Sequence, residues 1–153
     1  MATQDDIQRA EPAYRAAVAA CVHDAYAHYV QRIGREPAPM CADYGALLAR
    51  GVVYVLPEPA GGVRGLLVMM PQEGARFIEN LAVHSRHQGR GLGSLLMAFA
   101  AAEARAAGLG ELRLYTNERM PENLAYYGHL GYEEVAREED DGLRRVFMKK
   151  VLG

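Results

Sequence analysis

Read as hydrophobic and polar positions, the chain switches between helical and strand periods. From Pro12 to Gly34 the apolar and aromatic residues Tyr14, Val18, Cys21, Val22, Ala25 and Tyr29 recur at helical spacing, which predicts one long amphipathic helix. Pro12 suits its first turn and Gly34 its end. Before it, residues 3–10 offer a short strand whose alternation is diluted by Asp5 and Asp6. After it, residues 32–40 (RIGREPAPM) interrupt regular structure, because Gly34, Pro37 and Pro39 remove donors or restrict their neighbours. A shorter helix follows, with Tyr44, Leu47 and Leu48 turned inward and Gly51 as its stop.

Strands come next. Residues 52–56 and 63–70 are apolar runs around the turn sequence PEPAGG and predict an antiparallel hairpin. Residues 76–84 predict a central strand, in which Phe77 and Ile78 are followed by alternating Leu81 and Val83. It leads directly into QGRGLG at 88–93 and then a helix over 94–107, with Leu95, Phe99, Ala102 and Ala106 on one face. Gly108 and Gly110 end that helix, and residues 111–116 supply a strand with alternating Leu112 and Leu114. A strand, helix, strand unit of this kind requires parallel strands. Pro121 opens a last helix over 122–130, and two strands, 132–137 and 143–151, flank an acidic connection whose Asp141-Gly142 pair is a hairpin signal. The order predicts a single domain over 1–153 of the α/β (α+β) class, with helices covering a sheet.

Composition narrows the partners. With 153 residues and a net charge of −2, the chain has no basic excess of the kind nucleic-acid binding requires. No stretch has membrane-spanning length, and the first residues carry an acidic pair where a secretory signal needs a basic start, so a soluble cytoplasmic protein is expected. Cys21 and Cys41 have neither zinc nor redox spacing, and His23, His28, His84, His87 and His129 find no Cys, Asp or Glu that completes a ligand set; no metal is expected.

Candidate chemistry concentrates at Gln88, Gly89, Arg90, Gly91, Leu92, Gly93 and Ser94. Alternating glycines let backbone approach a ligand closely, and the first N–H groups of a helix lack partners within it and favour an anion. A dinucleotide fingerprint is refused by the spacing, since the third small position of GxGxxG would fall on Ser94. Asn123 and Tyr127 stand four apart on the last helix and so share a face.

Taken together, QxxGxG at Gln88, Gly91 and Gly93, the preceding Leu81-Ala82-Val83, and NxxxY at Asn123 and Tyr127 ahead of Leu130-Gly131-Tyr132 resemble the GNAT superfamily of acyl-CoA-dependent N-acetyltransferases. The resemblance covers most of the chain. It implies a mixed, mostly antiparallel sheet with a central splay, flanked by about four helices. It further implies acetyl-CoA as cofactor, its pyrophosphate on the glycine turn and its pantetheine arm along the backbone of Leu81, Ala82 and Val83. Asn123 is implied to hydrogen-bond that arm, and Tyr127 to stand near the thioester sulfur, where a phenol with an ordinary pKa of about 10 protonates the leaving thiolate.

The acceptor amine must lose a proton before attack, and Glu79, on the central strand, is the best-placed carboxylate for that work. Its bland alternative is a solvent-facing side chain. Backbone N–H groups near 81–83 would meet the oxyanion. Arg32 and Arg35 in the proline-set segment, with Tyr26 and Tyr29 beside it, are the candidates for acceptor recognition; a rigid surface crossover and core packing are their structural alternatives. The expected reaction is acetyl transfer by direct attack to a primary amine of a small molecule or peptide, with a homodimer left open. A non-catalytic acyl-CoA-binding module of the same fold is the competing reading.

Overall fold

The computed structural model describes residues 1–140 and 142–153. Asp141 of the Asp-Gly pair lies outside the described residues. Among the described residues seven strands form one mixed sheet in the order β1-β2-β3-β4-β5-β7-β6. These are β1 (Gln8–Arg9), β2 (Val53–Pro57), β3 (Val63–Gln72), β4 (Ala75–Val83), β5 (Glu111–Asn117), β6 (Glu133–Asp140) and β7 (Leu143–Val151). β1–β2, β2–β3, β5–β7 and β6–β7 pair antiparallel. β4 and β5 pair in parallel, as the strand, helix, strand sequence requires. Their register runs from Ala75↔Glu111 to Ile78↔Leu114, so the ladder covers the first part of β4.

The chain divides into two compact units, Met1–Met69 with Glu79–Phe99, and Met70–Ile78 with Ala100–Gly153. In the first unit, the segment read as a strand over 3–10 is a 3-10 turn, Gln4–Asp6, followed by the two residues of β1. Asp6 is the reason: its carboxylate accepts the Thr3 N–H at 2.8 Å and curls the chain before pairing starts. The long helix is divided into α1 (Arg15–Tyr26) and α2 (Tyr29–Ile33). No glycine or proline marks the division, and the apolar stripe passes through it, burying Val18, Cys21, Val22, Ala25, Tyr29 and Ile33. The interruption read over 32–40 is shorter than expected, because α3 (Ala38–Cys41) resumes helix after Pro37. α4 (Tyr44–Ala49) follows, capped by the Asp43 carboxylate on the Ala46 N–H at 3.0 Å.

Two faces differ from the sequence pattern. On α5 (Leu92–Ala106) the buried positions are Leu92, Leu96, Met97, Ala100, Ala101 and Ala104, whereas Ala102 and Ala106 are exposed. The run LLMAFAAA is apolar on nearly every side, so periodicity alone cannot select the inward stripe. On β4 the buried set is Ala75, Ile78, Asn80 and Ala82, with Leu81 and Val83 half-exposed beside exposed Glu79. The strand thus hides an amide and presents two aliphatic side chains. Gly65 on β3 shows how close the elements of this unit come: a β-carbon there would stand 3.1 Å from both the Ala82 carbonyl oxygen and Leu96 Cδ1.

In the second unit, β5 buries Leu112, Leu114 and Thr116 as its alternation predicts. α6 (Pro121–His129) has no buried residue, and β6 is exposed along its whole length as the last strand of the sheet. The described α-helices number six, two of them being the short α2 and α3.

Candidate active site

In the first unit β4 delivers the chain to the glycine turn through His84, a 3-10 turn at Ser85–His87, and Gln88. Gly89 (φ 78°) and Gly91 (φ 76°) both occupy the left-handed region, which a side chain would strain. Gly93 differs, because it falls inside the first turn of α5. The Gly91 carbonyl accepts the Leu95 N–H at 3.0 Å and so starts the helix. The first N–H groups of α5 have no acceptor within the helix and carry its positive dipole end. Arg86, His87 and Arg90 line an open cleft of about 570 Å³ with Glu58, Ala60 and Gly61. Glycine backbone, helix start and two guanidinium groups make this a place for a phosphate-bearing ligand.

The strand before the turn is held by side chains. Gln88 Nε2 donates to the Val83 carbonyl at 3.1 Å, and Tyr26 Oη lies 2.9 Å from the Leu81 carbonyl and 2.8 Å from Asn80 Oδ1. Asn80, only 4% exposed, completes its needs by donating Nδ2 to Tyr44 Oη at 2.9 Å. The Tyr44 hydroxyl donates to the Pro39 carbonyl, which fastens α3 to the network. Burial, with Glu79 nearby and only partly offset by the Asn80 amide, holds the Tyr44 phenol well above its ordinary range. Tyr44 is therefore a neutral structural donor. The network was missed in the sequence because Asn80 alternates with Leu81 in a run whose larger apolar members look like the buried ones.

Of the remaining sequence candidates in this unit, Glu79 is exposed on β4. Tyr29 is buried, with the His28 ring 3.9 Å from its own and the Arg32 guanidinium 5.1 Å over its face. Arg35 is exposed just after Gly34. Cys21 is buried, and desolvation, with Asp24 adding to it, pushes its thiol up to about 12. It is therefore no nucleophile. Among the described residues no group of three His, Cys, Asp or Glu is arranged to hold a metal ion.

In the second unit α6 opens at Pro121 and carries Asn123 and Tyr127 one turn apart, both half-buried. Asn123 Nδ2 lies 3.4 Å from Met120 Sδ and 3.5 Å from Thr116 Oγ1. These are weak anchors. Tyr127 packs against the rings of Tyr126 (5.4 Å between centroids) and Tyr132 (5.8 Å, edge-on). Tyr132 is buried, and its hydroxyl has no hydrogen-bond partner among the described residues. Desolvation, with the Tyr127 and Tyr126 phenols adding to it, pushes its pKa far above the ordinary range, so Tyr132 stays neutral.

Fold and turn together define an α/β domain with a glycine turn at the start of a helix. The profile described as an acetyltransferase (GNAT) domain matches residues 49–134. The chain belongs to the GNAT acetyltransferase family and is an acetyl-CoA-dependent N-acetyltransferase. Among solved structures, it resembles the PaiA N-acetyltransferase of Thermoplasma acidophilum in complex with coenzyme A (TM-score 0.80, 12% identity, 95% of this chain and 97% of that one). It also resembles the ribosomal-protein-S18-alanine N-acetyltransferase of Escherichia coli (TM-score 0.73, 18% identity, 95% and 92%). Nourseothricin acetyltransferase matches over a shorter stretch (TM-score 0.61, 22% identity), which spans 66% of this chain and 65% of that one. No helix among the described residues is long and apolar enough to cross a membrane.

Proposed function

We propose that residues 1–153 act as one catalytic domain that moves acetyl from acetyl-CoA directly to a primary amine of a small molecule or peptide, without an acyl-enzyme. The observation that carries this reading is the turn itself: Gly89 and Gly91 in left-handed conformations where α5 starts, beside Arg86 and Arg90. The pyrophosphate lies on Gln88, Gly89, Arg90, Gly91, Leu92, Gly93 and Ser94, and the pantetheine arm follows Leu81, Ala82 and Val83. Asn123 bonds that arm. Half-exposed Leu81 and Val83 suit a ligand running along β4. Glu79, exposed on that strand, takes the proton from the acceptor ammonium or passes it through water. The neutral amine attacks the thioester carbonyl, backbone N–H groups near 81–83 hold the oxyanion, and Tyr127 protonates the departing thiolate while the proton remaining on the acylated nitrogen restores the phenol. Burial of Cys21, which holds its thiol protonated, supports direct attack. Tyr26, Tyr29, Arg32 and Arg35 belong to the acceptor side, with Tyr26 acting there through the Leu81 carbonyl it holds. The two free cysteines fit a reducing, cytoplasmic setting.

A coupled thiol-release assay over amino acids, polyamines, aminoglycosides and peptide N-termini tests this reading. Turnover of one class identifies the acceptor. Tight CoA binding with no turnover of any class would leave a binding module in its place.

A further inference from the structure

The glycine turn is flanked by two carboxylates whose charge opposes an anionic ligand. Asp24, on α1, accepts the Ser85 N–H at 2.7 Å and the Ser85 hydroxyl at 3.0 Å, and it stands 3.6 Å from His84 Nδ1. Glu58, in the loop between β2 and β3, meets His87 Nε2 at 2.8 Å. The other nitrogen of that ring, Nδ1, faces Arg90 Nη1 at 3.5 Å. These partners assign the proton to Nε2, which donates to Glu58, and leave the Nδ1 lone pair toward Arg90. Within the segment, the His84 carbonyl accepts the His87 N–H at 2.8 Å, and His84 Nδ1 accepts the Arg86 N–H at 3.2 Å. Residues 84–90 are thus gripped from α1 at Ser85 and from the β2–β3 loop at His87.

Direct electrostatics would remove both carboxylates, because negative charge beside a phosphate site lowers its affinity. Their hydrogen bonds run the other way, toward the backbone and side chains that shape the turn. We propose that Asp24 and Glu58 are positioning residues that pre-organise the turn for the cofactor pyrophosphate, Asp24 by fixing the 3-10 turn at Ser85 and Glu58 by orienting His87 and through it Arg90. The inference rests on reading that turn as the pyrophosphate site.

The test is sign-sensitive. CoA is titrated calorimetrically into the full chain carrying Asp24→Asn, Glu58→Gln, Ser85→Ala or Gly91→Ala, with each variant's melting temperature recorded beforehand. Positioning predicts that Asp24→Asn and Glu58→Gln each raise the CoA Kd roughly three- to tenfold while the stoichiometry is retained. Ser85→Ala changes no charge and is expected to weaken binding in the same direction, adding little in an Asp24→Asn background. An unchanged or lower Kd in both carboxamide variants overturns the inference, since charge removal would then dominate. Reduced stoichiometry at unchanged Kd also overturns it, because that outcome reports misfolded protein. If Gly91→Ala leaves Kd unchanged, the reading of the turn falls and this inference with it. If Gly91→Ala weakens binding and the carboxamides do not, only the positioning role falls.

Discussion

The glycine turn of the first unit and α6 of the second are held by different forces. Around the turn, Asp24, Gln88 and Glu58 make hydrogen bonds of 2.7–3.1 Å to the segment they hold. α6 has no buried residue, its Asn123 amide reaches neighbours only at 3.4 and 3.5 Å, and Tyr127 is placed by ring packing. A binding surface for a fixed cofactor gains from being organised before the ligand arrives. The α6 side chains are placed by ring packing and longer contacts instead.

Several substitutions would break or sharpen this contrast. The largest effect is expected on the α6 side: Tyr127→Phe should lower kcat by about a hundredfold, at the lower end of general-acid contributions, while the calorimetric CoA Kd stays within about twofold. Equal losses in kcat and affinity would mean that the phenol is part of the binding surface. Next, Gly91→Ala forces a side chain into φ 76°, a conformation that costs an L-residue roughly 1–2 kcal/mol. CoA affinity should fall about tenfold with it, as read by titration. Gly65→Ala should destabilise the first unit by about 1–3 kcal/mol, because its β-carbon meets the rigid Ala82 carbonyl at 3.1 Å. Urea unfolding measures this, and a neutral result would show that β3 and β4 can part locally.

The smallest effect concerns pH. Burial pushes the Asp24 carboxyl up, but the Ser85 hydrogen bonds, with His84 and Arg86 nearby, more than reverse it and leave it below its ordinary value; Cys21, also close, is neutral. A carboxyl lowered on folding adds stability that is full above its unfolded pKa, about 4, and is lost as pH falls through the folded value. The urea midpoint of Asp24→Asn should therefore converge on that of the wild type at acid pH and fall below it near neutrality. A constant gap across the titration would detach Asp24 from the acid limb.

Much of this was legible along the chain. The strand, glycine turn and helix around 76–107, the Pro121 start of α6 and the pairing of β6 with β7 all carry local signals, and their elements stand close to where those signals place them. Asn123 and Tyr127 are readable because four residues on a helix always share a face. What escaped depends on partners far away in sequence. Asp24 and Ser85 are 61 residues apart, and nothing local in either marks the bond. Asn80 looks like a surface residue until Tyr26 and Tyr44 are brought to it from α1 and α4.

By itself, then, the sequence determined most of the elements, the glycines that shape the turn before α5, and the family, because these rest on short-range geometry and steric permission. Only the tertiary structure decided which side of α5 faces inward, that β4 buries Asn80 and leaves Leu81 and Val83 half-exposed, and that two carboxylates grip the segment leading into the turn. An apolar run permits several faces, and a polar side chain can be buried only where folding supplies its hydrogen-bond partners.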